Sequence, residues 1–430
     1  MIEGLAACFA GLADPRETSR CDHQLVDILA IAVCAVVACA ESWEDIELYG
    51  RSKQAWLGTF LALPNGIPSH DTFRRVFMLI DPDAFEACFA RWAQSLADGI
   101  EREVVAVDGK AVRRSGSRRH ERGPLHLVSA WASERGLALG QRAVDGKSNE
   151  ITAIPELLDT LRLEGCIVTL DAMGCQKAIA ERIRARDADY LLALKANHGR
   201  AFGAVREHFG RTCFGRGSGG RPVFDAFEEG HGRLVRRRVF LDPAAKGLEP
   251  LSGWPDLHAV LAVETIRSIT GTYKVEAEIR YFLTSCGDDP AVLARAIRRH
   301  WSVENGLHWV LDVTFREDDS RVRDRTAARN LALLRKIALN LVAKDSGSRA
   351  SLRGRRKKAA WNDDYMLQLI VGHASKKPGR AVRRRGVRAR RRSRGRRAGG
   401  RAAGPALPWN AGRSGRGRGP RSPTVAAARA

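Results

Sequence analysis

The sequence predicts an α/β protein with a mixed β-sheet and a mostly β insertion, preceded by an all-helical region and followed by a disordered basic tail. Apolar residues at helical spacing dominate residues 1–100, whereas short β-rich runs begin after residue 101. Beyond residue 369 both periodicities end, and arginine, glycine, alanine and proline prevail. We therefore expect an N-terminal domain at residues 1–100, an α/β domain at 101–345, the end of the fold at 346–370 and a disordered tail at 371–430.

The N-terminal domain is predicted to be a small helical bundle. Residues 25–40 are apolar nearly all round, as in a central buried helix. Ser42 and Asp45 have the spacing of a helix cap, and a turn at residues 64–68 precedes a helix that carries Arg74 and Arg75. A helix, a turn and a basic helix could form a DNA-reading unit. A plain bundle with two solvated arginines is the alternative.

The α/β domain opens with three strands and continues with strands separated by helices. Residues 133–136 favour a hairpin turn between the second and third strands. With right-handed crossovers, the order β-β-β-α-β-α-β is the layout of a ribonuclease H-like fold. The predicted strands are residues 104–107, 125–131, 137–144, 166–170 and 190–194, and the predicted helices are residues 154–163 and 176–186.

Two aspartates directly follow strands that this layout makes parallel neighbours. Asp108 follows the first strand and Asp171 the fourth. Ligands bind beyond the carboxyl ends of the strands in such sheets. We therefore expect the two carboxylates to lie side by side at one edge of the sheet.

A mostly β insertion is predicted at about residues 200–290, with strands at 234–241, 257–265 and 275–283. A helix is predicted over residues 291–319, and a second amphipathic helix at 327–343 would cover the sheet. The first of these helices has a stripe of large or apolar residues that also contains Glu304. The stripe consists of Leu293, Ile297, Trp301, His308, Leu311 and Phe315.

A carboxylate on a core-facing stripe is costly unless it is paired or holds a metal ion. We expect Glu304 to face Asp108 and Asp171. Three such carboxylates repel one another unless a cation lies between them. Their oxygens suit Mg²⁺ or Mn²⁺, and two ions could activate a water or a 3′-hydroxyl for attack on a phosphodiester.

Each carboxylate also has a simpler explanation. Asp108-Gly109 is an ordinary hairpin dipeptide, Asp171 could cap the following helix, and Glu304 could pair with Arg298 or His300. Asp145 is a competing site residue, because it ends the third strand within a second Ala-Val-Asp-Gly-Lys motif. We expect Asp145 to lie farther from the fourth strand than Asp108 does.

Five motifs carry a family resemblance across residues 1–369. They are VDGKAVR at 107–113, DGKSNEITAIPELLDTL at 145–161, TLDAMGCQ at 169–176, LLALKANH at 191–198 and RRHWSVENGLHWVLDVTFREDDSR at 298–321. In this order they resemble the H-repeat-associated insertion-sequence transposases, which belong to the DDE group with a β insertion before the last acidic residue. The resemblance implies that Asp108, Asp171 and Glu304 are the catalytic metal ligands, with two divalent ions per active site.

The resemblance also implies double-stranded DNA as the partner, in the form of terminal inverted repeats and target DNA, with a homo-oligomer assembled on it. Related families place Tyr, Arg and Lys around the glutamate where this chain has Ile297, His300 and Leu311. Phosphate contacts therefore cannot be carried over. The local candidates for DNA contacts are Lys110, Lys147, Asn149, Lys195, Arg298, Arg299, Trp301 and His308.

Aromatic residues near Glu304 have two interpretations. Trp301, His308 and Trp309 could stack on an unpaired base. For the two tryptophans, core packing is the interpretation we favour, and His308 could equally be a core histidine.

The charge distribution and the cysteines indicate where in the cell the protein is expected. The net charge is +23, but 17 arginines, two lysines and no acidic residue lie in residues 371–430, so the folded part is nearly balanced. Nine cysteines form no CxxC pair, and residues 25–40 are too short to span a membrane. We expect a cytoplasmic protein that is nucleoid-associated when bound to DNA.

The expected function is metal-dependent DNA cleavage at terminal repeats, followed by strand transfer to target DNA. A decayed, non-catalytic DNA-binding product is one alternative, and the unusual tail is consistent with it. A general ribonuclease H-type nuclease that needs no terminal repeats is the other.

Overall fold

Nine strands form one mixed sheet at the centre of the computed structural model. The model describes residues 9, 11–97, 102–117, 121–144, 150–215, 220–230, 232–269, 271 and 274–371. In chain order the strands are β1 Val104–Val112, β2 Leu125–Ala132, β3 Leu137–Val144, β4 Ile167–Leu170, β5 Asp189–Leu194, β6 Phe224–Gly230, β7 Arg233–Asp242, β8 Ala259–Ile269 and β9 Val275–Thr284. Their order across the sheet is β3-β2-β1-β4-β5-β9-β8-β7-β6.

The topology confirms the predicted ribonuclease H-like mixed sheet. β1 pairs in parallel with β4, and β4 in parallel with β5, whereas β1 and β2 and then β2 and β3 are antiparallel. The predicted end of the first strand was wrong. β1 does not end at Asp108 but continues to Val112, because its second half pairs with β2 after the pairing with β4 has stopped.

Helices cover both faces of the sheet. They are α1 Leu25–Val37, α2 Trp43–Ser52, α3 Gln54–Leu57, α4 His70–Leu79, α5 Pro82–Leu96, α6 Glu150–Asp159, α7 Lys177–Arg184, α8 Gly199–Phe209, α9 Pro290–His300, α10 Arg325–Ala343, α11 Leu352–Trp361 and α12 Asp363–Val371. Helices α6, α7 and α8 share a core with Val105, Val107 and Val168 on one face. Helix α9 packs on the other face, against Val104 and Ile167.

The N-terminal helices surround α1, which is buried almost throughout. Ser42 and Asp45 form the predicted capping box of α2. The core of this bundle is continuous with α10 and α12, and it reaches the sheet at Ala106 and Ala138. A boundary near residue 100 therefore remains a prediction. No helix among the described residues is both long and apolar enough to cross a bilayer.

The insertion is mostly β, as predicted, but it is not a separate sheet. Strand β9 pairs antiparallel with β5, so β6 to β9 extend the central sheet. Strand β6 and the helix α8 that precedes the insertion strands were not predicted. The tail at residues 371–430 lies outside the described residues, apart from Val371 at the end of α12.

The predicted helix over residues 291–319 proved to be wrong in its second half. Helix α9 ends at His300, and wider π-type turns follow at Val303–His308 and Val310–Thr314. A π turn closes hydrogen bonds from i to i+5 and so rotates the following side chains relative to an α-helix. As a result Val303, Leu307 and Val310 face the core beside Leu311 and Phe315, which were predicted to do so. Of the predicted stripe, Trp301 and Glu304 are exposed instead.

Candidate active site

Asp108 and Asp171 occupy adjacent positions on two parallel strands. The pairing of β1 with β4 ends where Val107 lies opposite Leu170. The next residue along the chain is an aspartate in both cases, Asp108 within β1 and Asp171 directly after β4. The expected juxtaposition follows directly from this register.

The turn after β4 orients Asp171. Its carboxylate accepts hydrogen bonds from the backbone N–H groups of Met173 at 2.9 Å and Gly174 at 3.3 Å. The following helix begins only at Lys177, and its N-cap residue is Gln176. Asp171 therefore orders the turn and does not cap that helix.

Glu304 lies just beyond the end of α9, on the face of the sheet that α9 covers. Thr169, two residues before Asp171, is 3.0 Å from Nδ1 of His300 through its hydroxyl oxygen. Arg298 pairs with Glu228, so the alternative pairing with Glu304 is not formed. The Glu304 side chain is exposed, which corrects the prediction that it lies in a core-facing stripe.

Two contacts fix the segment that carries Glu304 on the sheet. The indole N–H of Trp131 in β2 donates to the Ser302 hydroxyl at 3.1 Å. Gly306 lies so close to Trp131 that a Cβ atom there would be 2.8 Å from the indole ring. The π-type turns thus allow Val303 and Leu307 to pack inward while Glu304 points outward.

The electrostatics indicate that the three carboxylates share one region. Burial and, to a smaller extent, the charges of Asp171, Glu304 and Glu150 together raise the pKa of Asp108 to about 7, against the lowering effect of a hydrogen bond from the Gly109 backbone. None of the three predicted ligands has an ion pair with Lys, Arg or His among the described residues. A concentration of uncompensated carboxylate charge favours a cation.

The donor set fits a hard divalent ion, although the side chains do not enclose one. No three His, Cys, Asp or Glu side chains of the described residues are arranged to hold a metal. Asp171 is fixed by backbone hydrogen bonds, whereas Glu304 is exposed. Three carboxylates without a competing cation are the type of ligands that Mg²⁺ and Mn²⁺ prefer.

His300 packs beneath this site. Burial lowers the pKa of its imidazole to about 4, so the ring is neutral at pH 7, although Asp171 acts in the opposite direction. Related families have an arginine four residues before the glutamate, and here a neutral ring bonded to Thr169 takes that place.

Lys110 was predicted to contact DNA, but its ammonium faces internal carboxylates. Its Nζ forms ion pairs with Asp312 and, at 2.7 Å, with Glu317, and the Lys110 side chain is only 12% exposed. An enclosed ammonium that already serves two carboxylates does not reach a phosphate. Sequence reasoning missed this role because the acidic partners are about two hundred residues away.

Four other predicted DNA contacts are at least partly exposed, as contact with DNA would require. Lys195 is exposed directly after β5, at the edge of the sheet where the aspartates lie. Arg298 and Arg299 remain partly exposed, and Arg299 pairs with Glu134 at 2.7 Å. Trp301 is 43% exposed, so the preference for core packing was wrong for it, as it was for Trp309, which is 56% exposed.

His308 is enclosed rather than turned outward. Burial lowers the pKa of its imidazole to about 3, and its Nε2 has no hydrogen-bond partner among the described residues. It therefore does not stack on a base in this arrangement. Asp145, Lys147 and Asn149 lie outside the described residues.

A basic groove opens beside Glu304, between α9 and strands β7 to β9. We call it the arginine groove, and its volume is about 740 Å³. Of the residues that the structure describes, six arginines line it together with Trp301, and no acidic residue does. The lining residues are Arg237, Val263, Thr265, Arg267, Arg280, Phe282, Arg295, Ile297, Arg298, Arg299, Trp301, Ser302 and Asn305.

Three glutamates outside the lining each pair with two of the six arginines, so three positive charges remain in excess. The pairs are Glu228 with Arg237 and Arg298, Glu278 with Arg267 and Arg280, and Glu134 with Arg295 and Arg299. The guanidinium of Arg280 also lies 5.1 Å from the centre of the Trp301 ring. Sequence analysis missed Arg237, Arg267, Arg280 and Arg295, which a strand-by-strand comparison of faces could have found.

Comparison with known proteins gives two family-model matches. Residues 6–93 match the DDE_Tnp_1-associated domain, and residues 99–341 match the transposase DDE domain. The chain is 38% identical over 367 residues to "H repeat-associated putative transposase YhhI" of Escherichia coli strain K12, covering 84% of this chain and 96% of that protein. It is also 38% identical over 372 residues to "Putative transposase YncI" of Escherichia coli O157:H7, covering 86% and 95%.

Among solved structures, the chain is similar to a piggyBac transposase in a synaptic complex with hairpin DNA, determined by cryo-electron microscopy. The TM-score is 0.40 at 12% sequence identity, over 87% of this chain and 80% of that one. A likeness of this size supports no inference about residues.

Proposed function

The chain belongs to the H repeat-associated transposases with a DDE domain, and from that membership we propose which residues form its active site and what they do. A member of this family is a DNA-cleaving enzyme, and DDE transposases depend on divalent metal ions. The proposed metal ligands are Asp108, Asp171 and Glu304. The main support is the register of β1 and β4, which places Asp108 and Asp171 directly after the paired Val107 and Leu170. The charges of Asp171 and Glu304 also contribute to the raised pKa of Asp108, whose largest cause is burial.

The proposed cofactor is a pair of Mg²⁺ or Mn²⁺ ions. Bound by these carboxylates, they would supply an activated water or 3′-hydroxyl and stabilise the leaving oxygen of the phosphodiester. Asp171 enters this arrangement already oriented by two backbone N–H groups. Glu304 is exposed and can turn towards the aspartates, while the neutral His300 adds no competing charge.

The proposed DNA surface is the arginine groove together with Lys195. Its excess of positive charge suits a phosphate backbone, which basic side chains hold without reading sequence. Trp301, Ser302 and Asn305 line the groove and flank Glu304. A strand held there would therefore lead directly to the carboxylates.

Sequence recognition is proposed to lie elsewhere in the chain. The exposed Arg74 and Arg75 on α4 are candidates for contacts with the terminal inverted repeats. Within the described part of the chain, the one ion pair of Arg74 is with the nearby Asp71 at 3.0 Å. Lys147 and Asn149 also remain candidates. Pairing of two DNA ends would require a homo-oligomer on DNA, which we propose together with this function.

The test is cleavage of a duplex that carries the element's inverted repeats. With Mn²⁺ present, the full-length protein is expected to nick the repeat end, and chelation of the metal should stop the reaction. Asp108→Asn, Asp171→Asn and Glu304→Gln should each lower the cleavage rate by about a thousandfold or more, because each removes a ligand charge. DNA binding should persist in all three variants.

A duplex with scrambled ends is the matched substrate control. Equal cleavage of both duplexes would indicate a general nuclease. A wild-type chain that binds but never nicks would indicate a decayed product, and full activity in any one of the three variants would remove that residue from the proposed site.

A further inference from the structure

The basic end of β1 and the turn that follows it lie against an acidic segment that follows Glu304. Residues 110–114 supply three cations, and residues 312–319 supply four carboxylates. The two segments are distant in sequence, but they form a row of ion pairs. The pairs are Lys110 with Asp312, Lys110 with Glu317 at 2.7 Å, Arg113 with Asp318 at 3.1 Å and Arg114 with Asp319 at 3.4 Å.

Burial distinguishes the Lys110 contacts from the others. The side chains of Lys110 and Glu317 are 12% and 1% exposed, whereas that of Arg113 is 81% exposed. Exposed pairs of this kind contribute little to stability. Removing one member of a buried pair leaves an uncompensated charge, which the surrounding structure must move to accommodate.

Other buried cations hold the acidic segment in place. Arg335 of α10 approaches Glu317 at 3.9 Å. Arg356 of α11 donates to the Thr314 carbonyl and stacks 3.9 Å from the centre of the Phe315 ring. The acidic segment therefore has a defined position against the C-terminal helices, and Lys110 joins it to the sheet.

The position of Lys110 connects this cluster to the active site. Lys110 lies two residues after Asp108 in β1, so the two side chains project from the same face of the strand. Asp312 lies eight residues after Glu304 on the continuous helical segment. One ammonium thus ties the strand that carries Asp108 to the segment that carries Glu304.

We propose that Lys110 is a positioning residue whose ion pairs with the half-buried Asp312 and the buried Glu317 hold Glu304 within reach of the metal site at Asp108. This inference rests on the proposed function, because it concerns the same three carboxylates. It replaces a DNA contact of Lys110 with a role inside the protein.

The test measures Mn²⁺ affinity by calorimetry on the full-length protein without DNA. Lys110→Met should weaken Mn²⁺ binding by about ten- to a hundredfold, the loss typical of residues that orient metal ligands. Lys110→Arg keeps the charge and should recover part of the affinity. Arg113→Gln removes a charge three residues away, from an exposed pair, and should bind Mn²⁺ like the wild type.

A merely structural role would lower the unfolding temperature without changing the affinity of the folded protein. If Lys110→Met does not fold, Asp312→Asn takes its place, since it weakens the same contact and leaves Glu317 paired. A folded variant whose Mn²⁺ affinity stays within about twofold of wild type would overturn the inference.

Mn²⁺ binding by the Asp108→Asn variant distinguishes a failure of this inference from a failure of the proposed function. Lost Mn²⁺ binding in Asp108→Asn, with unchanged binding in Lys110→Met, overturns only the positioning role. Unchanged binding in Asp108→Asn overturns the metal site, and the role of Lys110 with it.

Discussion

Gly306 helps to position Glu304, because a residue without a side chain lets the segment that carries Glu304 pack closely against Trp131. A Cβ atom there would lie 2.8 Å from the Trp131 ring, which is rigid and 4% exposed. Gly306→Ala should therefore displace the segment that carries Glu304. We expect a loss of about 1–3 kcal/mol in the free energy of unfolding, partly offset by the better helix propensity of alanine, and a lower rate of DNA cleavage.

The measurement is urea unfolding followed by the nicking assay. Gly203→Ala in α8 is the matched control, because its Cβ atom would meet nothing within 4 Å. It should leave cleavage unchanged and should not destabilise the protein. Equal behaviour of the two variants would mean that Gly306 has no steric role.

Single residues show where the sequence was sufficient and where it was not. Asp108 and Asp171 were predicted as neighbours because parallel strands bring their ends to one edge. The exposure of Glu304 was not predicted, because an α-helical period was assumed where π-type turns occur. Trp301 and Trp309 were assigned to the core because aromatic residues dominate cores, and both are exposed. A close glycine contact causes no periodic signal, so sequence alone could not reveal the change.

The arginine groove is a property of elements, since α9 and three strands together create it. Arg280→Gln removes one lining charge, and the contact with Trp301 as well. The affinity for DNA should fall to a similar extent on any DNA sequence. The slope of log affinity against log salt concentration should become shallower by the amount that corresponds to about one phosphate contact. Binding titrations at several salt concentrations provide the measurement.

Arg182→Gln on α7 is the control, because it removes the same charge on the opposite face of the sheet. The basic tail contributes equally to both variants. If both changed the salt slope equally, the groove would have no special part in binding.

At the scale of elements, most strands were predictable and two features were not. The hairpin of β2 and β3 and the strand β4 carry clear apolar runs, and the observed bounds agree within one residue. Strand β6 has the sequence FDAFEEG and is largely exposed, so no buried alternation marks it. The second half of β1 contains glycine and lysine, and it is a strand because β2 pairs with it.

The whole molecule depends on contacts between segments that are far apart in sequence. Glu86 of α5, which is 4% exposed, pairs with Arg329 of α10 and joins the N-terminal helices to the cover of the sheet. The ion pairs of Lys110 join β1 to residues 312–317 in the same way. Complementary charges two hundred residues apart give no local signal, which is why the sequence analysis assigned Lys110 to DNA.

The central claim is that Asp171 and Glu304, on different elements, bind the same ions as Asp108. Its most direct test is a double-mutant cycle on Mn²⁺ affinity with Asp171→Asn, Glu304→Gln and the double variant. Shared ions predict that each single change weakens binding, and that the double variant loses less than the two losses combined, with a coupling above about 0.5 kcal/mol. Strictly additive losses, or Mn²⁺ binding unaffected by Glu304→Gln, would contradict the account.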